Sequence, residues 1–169
     1  MSREKLTEIH GHGQVRRLQT RTPIRAPIDT VWDALTKIEH VSQWWADGAI
    51  GNGPGEVFQL GGENDLNGTI IAMFKPHVFE FTWQDDLQRA AHPEWIEPAT
   101  RSLVRFDLIE IDAAETLLNL VSFAPLIGAS GAAAGWHHIF EIFAAYVEGR
   151  DDVDPSGERF EALKTLYAT

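Results

Sequence analysis

The stretch from Ser130 to Gly149, SGAAAGWHHIFEIFAAYVEG, constrains this chain more than any other. Trp136, Phe140, Phe143 and Val147 recur at i, i+4, i+7 and i+11, with Ile139 and Ala144 beside them. That spacing predicts a helix with one broad apolar face. His137, Glu141 and Glu148 fall largely off the face, Ser130 is placed to cap the start, and Gly149 stands where helices tend to end. So rich a stripe needs a long apolar surface to lie against. Residues 14–124 read as the sheet that supplies it.

Residues 1–13 are polar with two glycines and are expected to be a flexible terminus. Gln14 to Arg25 reads as a strand, broken by Ala26-Pro27. A proline suits the first turn of a helix, and Asp29 places negative charge at its positive end. Val31, Trp32, Leu35 and Ile38 give that helix an apolar face, and a second short helix is expected over His40 to Trp45. Gly48 to Gly55 reads as a glycine-rich loop and Glu56 to Leu60 as a short strand, with Thr69 to Lys75 as the next one. In His77 to Gln84 the residues Phe79, Phe81 and Trp83 alternate with Glu80, Thr82 and Gln84, the pattern of a half-buried antiparallel strand.

Asp85 to Thr100 is expected to be a long loop, a length often used for lids or binding loops. Leu103 to Asp112 and Thr116 to Ala124 read as a strand pair around an Asp-Ala-Ala-Glu turn. Val104, Phe106 and Leu108 share a face of the first. In the second, Leu118/Leu120 and Leu117/Val121 are both apolar, so alternation leaves the buried side open. Asp154-Pro155 is expected to open a last amphipathic helix bearing Phe160, Leu163 and Leu166, packed on its own chain or on a second subunit.

The chain has 169 residues, enough for one domain with a real core. It carries no cysteine, so disulfides, thiolate catalysis and cysteine-ligated metals are excluded. No apolar run is long enough for a membrane span, the first thirteen residues are not expected to be a signal peptide, and a cytoplasmic location is expected. The net charge of −11 (14 basic against 25 acidic residues) argues against a sequence-independent grip on nucleic acid or anionic lipid.

Certain blocks carry a resemblance. They are Ile24-Arg25-Ala26-Pro27, Val31-Trp32-Asp33-Ala34-Leu35-Thr36, the pair Trp44-Trp45, Gly68-Thr69-Ile70, Phe79-Glu80-Phe81-Thr82-Trp83, Thr116-Leu117-Leu118-Asn119-Leu120, and Gly135-Trp136. Over roughly residues 15–149 the sequence resembles the heat-shock-protein-90 ATPase activator homologue-like family of the START or Bet v 1-like (SRPBCC) superfamily. The resemblance implies an α+β helix-grip fold: a curved antiparallel sheet of about six strands wrapped around the long helix, with two short helices after the first strand. The expected organisation is a flexible 1–13, a helix-grip domain over 14–149, and a C-terminal extension over 150–169 with a short helix. A cavity between sheet and helix is implied as well. No single reaction is implied, since the superfamily holds lipid carriers, hormone receptors, cyclases and co-chaperone domains.

The candidate ligand-binding residues are Trp44, Trp45, Phe58, Phe79, Phe81, Trp83, Phe106, Trp136, Phe140 and Phe143, joined by Leu118 and Leu120. Two readings stand beside each other: these side chains line a pocket, or they simply fill the core. Each buried ring contributes roughly 4–6 kcal/mol gross, reason enough for a fold to keep it. His77 shares the alternation of Phe79 and Phe81, and Ser122 that of Leu118 and Leu120, so either can orient a ligand in an apolar pocket. Arg105 and Asp107 are expected to form an exposed pair.

No metal site is expected, because His10 and His12 lie in the polar terminus and His137 and His138 point about 100° apart on a helix. The glycines at 48, 51, 53 and 55 precede a strand rather than a helix and lack the G-K-[ST] of a phosphate loop. No nucleophile elbow surrounds Ser102, Ser122 or Ser130. The leading expectation is therefore binding of a small hydrophobic molecule (lipid, polyketide or aromatic), with no cofactor and no catalytic motif, and with a homodimer left open. Two alternatives are retained: an aromatase, cyclase or hydrolase-like enzyme using His77, and a co-chaperone-like interaction module.

Overall fold

The computed structural model describes residues 5–61, 66–85, 103–154 and 156–168. The loop expected over Asp85 to Thr100 lies, beyond its first residue, outside the described residues. Among the described residues nine antiparallel strands form one sheet: β1 (Thr7–His10), β2 (Val15–Ile24), β3 (Gly48–Ile50), β4 (Val57–Leu60), β5 (Leu66–Phe74), β6 (Val78–Thr82), β7 (Gln84–Asp85), β8 (Leu103–Asp112) and β9 (Glu115–Pro125). Their spatial order is β1-β2-β9-β8-β6-β5-β4-β3, with the two-residue β7 paired to β5 off that path. The helices are α1 (Ile28–Thr36), α2 (Ile38–Trp44), α3 (Ala129–Glu148) and α4 (Gly157–Tyr167). This is the α+β helix-grip architecture, a curved antiparallel sheet closed over a long C-terminal helix.

Eight strands make up the continuous path, where about six were expected. The additional strands are short edge segments. β1 pairs Thr7 with Thr20 and His10 with Arg17, inside the terminus expected to be loosely held. β3 pairs Gly48 with Leu60 and Ile50 with Phe58, inside the stretch expected to be a glycine-rich loop. Segments of three or four residues are too short to show a hydrophobic period, and their backbone pairing holds them in place.

The central strands follow their alternation. Leu18, Thr20 and Ile24 of β2, Phe79 and Phe81 of β6, and Val104, Phe106 and Leu108 of β8 are buried on the helix-facing side. In β9 the open question of parity resolves in favour of Leu118, Leu120 and Ser122, which are buried, over Leu117 and Val121, which are half-buried. Gly68 lets β5 pass close to its neighbour, since a Cβ there would lie 1.6 Å from the Thr82 carbonyl oxygen.

Pro27 holds extended backbone just ahead of α1, and its carbonyl accepts from the Val31 N–H at 3.1 Å. Lys37 is extended and separates α1 from α2. The second helix is tied to the first by the Trp44 indole, which donates to the Ala34 carbonyl at 2.8 Å.

α3 begins after a 3-10 turn at Leu126–Gly128, with Gly128 at its N-cap and no side-chain cap, so Ser130 lies inside the first turn and does not cap it. Its C-terminus ends as expected, with Gly149 left-handed at φ 69° and the Arg150 N–H reaching back to the Ala145 carbonyl at 2.8 Å. Part of the face expected to be polar is buried too, while Glu141 and Glu148 stay half-buried. His137 is covered by Leu6 and by Tyr167 of α4, and His138 by the Asp154 carbonyl and the Phe160 ring of α4. α4 opens at Ser156, whose hydroxyl accepts from Glu158, rather than at Asp154-Pro155. It lies on its own chain, where Leu163 and Tyr167 pack against Ala133 and Ala134 of α3. No described helix is long and apolar enough to cross a membrane.

Candidate functional site

All twelve candidate residues converge on the space between the sheet and α3. Phe58 stacks on Phe81 with ring centroids 3.7 Å apart, and Phe79 lies 5.1 Å from Phe81. Phe106 stacks on Phe140 at 6.3 Å, tying β8 to the helix, and Trp44 meets Phe143 edge-on at 4.7 Å. Leu118 and Leu120 floor the same space from β9. These contacts account for the close packing of the middle of the interior.

One end of the interior differs. Trp83 stacks on Trp136 at 5.1 Å, and Trp45 meets both edge-on, at 5.8 and 6.0 Å. Trp45 and Trp83 are only half-buried, whereas the other ten candidates are buried. Three tryptophans, Trp45 just past α2, Trp83 just past β6 and Trp136 two turns into α3, thus form a partly open aromatic wall. Flat π-faces and edges in this arrangement suit an aromatic or polycyclic guest.

The polar candidates separate. Ser122 is buried on the helix-facing side, with its Oγ lacking a hydrogen-bond partner among the described residues. His77 is exposed in the turn between β5 and β6, and its Nδ1 lies 3.2 Å from the Leu108 carbonyl, away from the interior. It therefore cannot serve as the acid or base of an interior reaction. Arg105 and Asp107 form the expected exposed pair through two-pronged contacts at 3.0 Å. Among the described residues, no group of three or more His, Asp or Glu side chains is placed to hold a metal ion.

A second polar constellation was not anticipated. On the far side of α3, the Tyr167 hydroxyl accepts from the Thr7 N–H at 3.0 Å and lies 2.8 Å from His137 Nδ1. His137 Nε2 is 3.6 Å from Glu141, one helical turn on, and Arg159 grips both Glu141 oxygens at 2.9 and 2.7 Å. Thr7 and Thr20 share a hydroxyl contact of 2.7 Å beneath. Burial alone would raise the Glu141 carboxyl, but the hydrogen bonds from His137 and Arg159 outweigh it and hold the group at about 2. Burial also pushes the Tyr167 phenol up, only partly offset by the bond from Thr7. The i, i+4 pair His137/Glu141 was a legible signal, but its partners sit in β1 and α4. The arrangement clamps three elements together.

The Glu141 carboxyl carries a pH prediction. Its folded value lies below the ordinary 4.5, so it adds stability above that pH and loses it as pH falls toward about 2. Allowing for partial solvent access, the contribution is about 1–2 kcal/mol. Glu141→Gln is expected to lose less unfolding free energy than the parent protein between about pH 6 and about pH 3, as measured by urea titration at both. Equal losses in the two proteins would show that the carboxylate is not specially held.

Beside this clamp a cleft of about 170 Å³ opens between β2, α3 and the segment after α3. Leu6, Thr22, Phe140, Glu141, Ala144, Arg150, Asp152 and Val153 line it, so it shares only Phe140 with the twelve candidates. Its charged rim is self-paired, Arg150 with Glu148 and Asp152, and Glu141 with Arg159.

No curated protein sequence matches the chain. Solved structures match its fold. A conserved protein of unknown function from Enterococcus faecalis shares 18% identity, covering 96% of this chain and 88% of that one, at a TM-score of 0.72. CalU16 from Micromonospora echinospora shares 21% identity over 96% of this chain and 99% of that one, at 0.67. The Aha1 dimer from Colwellia psychrerythraea shares 13% identity over 78% of this chain and 96% of that one, at 0.60. Residues 25–148, from the end of β2 through α3, match the sequence profile of one family. With the sheet closed over its long helix, that match assigns the chain to the activator of Hsp90 ATPase homolog 1-like protein family, of the START and Bet v 1-like (SRPBCC) fold.

Proposed function

We propose that this protein binds a small, predominantly apolar molecule between its sheet and α3, with Trp45, Trp83 and Trp136 as the aromatic wall of the site. The observation that carries this reading is the difference within the aromatic set. Ten candidates are buried, while Trp45 and Trp83 remain half-buried yet stay in mutual contact with Trp136. Large apolar surfaces left partly open beside a packed interior mark recognition sites more often than plain packing does. A lipid, a polyketide or a polycyclic aromatic all fit this chemistry. Binding would be driven by burial of apolar area, with few directed bonds.

The test is a titration of intrinsic tryptophan fluorescence with flavonoids, polyketides and fatty acids, paired with thermal unfolding. At least one class is expected to quench the emission and raise the midpoint. Trp83→Ala is expected to weaken that ligand roughly tenfold or more, since a stacking ring contributes about 1–3 kcal/mol. A saturating screen that leaves both emission and midpoint unchanged contradicts the proposal.

A further inference from the structure

We infer that Ser122 is the polar anchor of this interior site, its hydroxyl hydrogen-bonding a single uncharged hydroxyl or carbonyl group on an otherwise flat, apolar ligand. The inference rests on the ligand-site reading above and narrows it to a chemical class.

Ser122 is 3% exposed and occupies the helix-facing side of β9. Its register partners are Leu18 on β2 and Val104 on β8, and Phe81 lies across from Val104. All three are fully buried, so the serine is the one polar side chain in an apolar row. The other buried hydroxyls are satisfied within the protein. Thr7 and Thr20 bond each other, Thr36 donates to the Trp32 carbonyl at 2.8 Å, and Thr116 donates to the Ala26 carbonyl at 2.9 Å. Ser122 Oγ has no such partner among the described residues. Folded proteins rarely leave a buried hydroxyl unpaired, because its lost hydration is not returned.

The surroundings also fix what can meet it. A hydroxyl can donate one hydrogen bond and accept others, which suits a phenol, an alcohol or an aryl ketone. An ionised carboxylate or ammonium is excluded, because Leu18, Val104 and Phe81 offer nothing to compensate a charge. A fatty acid anchored here by its ionised head group is therefore not the ligand class.

A matched pair of probes tests this: 2-naphthol and naphthalene, titrated into the parent protein and into Ser122→Ala. The expected result is that the ratio of the two affinities, 2-naphthol over naphthalene, falls roughly five- to tenfold in the variant, in line with one net hydrogen bond. Naphthalene itself should bind both proteins equally. An unchanged ratio overturns the anchor and leaves the interior site standing. Loss of both probes in the variant also overturns it, by showing that Ser122 acts through packing. If neither probe binds either protein, the interior site fails and the anchor with it.

Discussion

Replacing Phe81 with alanine is expected to lower the unfolding free energy by about 3–5 kcal/mol. Phe81 is fully buried, stacks on Phe58 at 3.7 Å and touches Phe79, Trp83 and Phe106. Removing the ring forfeits its transfer energy and leaves a void walled by rigid aromatics that cannot collapse into it. Trp83→Ala, two residues along the same side of the chain, removes a ring that is already half in water and is expected to cost clearly less. The two substitutions thus divide the aromatic set: Phe81 is expected chiefly to hold the fold, and Trp83, under the proposed function, chiefly the guest. Urea unfolding of both variants checks this. A loss below about 1 kcal/mol for Phe81→Ala would mean that its ring faces open space rather than packed neighbours.

Truncation after Gly149 is expected to cost more than about 4 kcal/mol, or to abolish cooperative unfolding altogether. The segment from 150 onward is not an appendage. It carries Leu163 and Tyr167 into contact with Ala133 and Ala134 of α3. Arg159 neutralises Glu141 through two hydrogen bonds, His138 lies 3.0 Å from the Asp154 carbonyl, and Tyr167 joins His137 to β1. Without the segment, two histidines and a carboxylate on α3 lose their partners, and His137 does so while still covered by Leu6, the arrangement that costs most. A truncated chain unfolding cooperatively within about 1 kcal/mol of the full one would show that the helix-grip domain is self-sufficient at residue 149.

The contrast between these regions explains what could be read in advance. The helix over Trp136–Val147 and the strand over Phe79–Trp83 repeat their apolar residues often enough to fix both element and face. The blocks at Ala26-Pro27, Val31–Thr36 and Trp44-Trp45 place two helices after the first long strand, and α1 and α2 stand there. β1 and β3 leave no mark in the sequence because backbone pairing, which no local pattern announces, holds strands this short. The helical period sets His137 off the apolar face because it reveals only one covering layer; the second comes from Leu6 and α4, distant in sequence. The aromatic set was legible as a group, but alternation cannot tell a packed ring such as Phe81 from a half-open one such as Trp83. That distinction arises only from how the ends of α2 and β6 meet α3 at Trp136.

The most direct measurement follows the indole N–H resonances of the six tryptophans, together with the backbone amides of Leu6 and Val153, by nuclear magnetic resonance during titration with 2-naphthol. Binding in the interior predicts large saturable shifts at Trp45, Trp83 and Trp136, with Leu6 and Val153 beside the lateral cleft unmoved. Shifts confined to Leu6 and Val153, or no saturable shift at the three indoles, would contradict it.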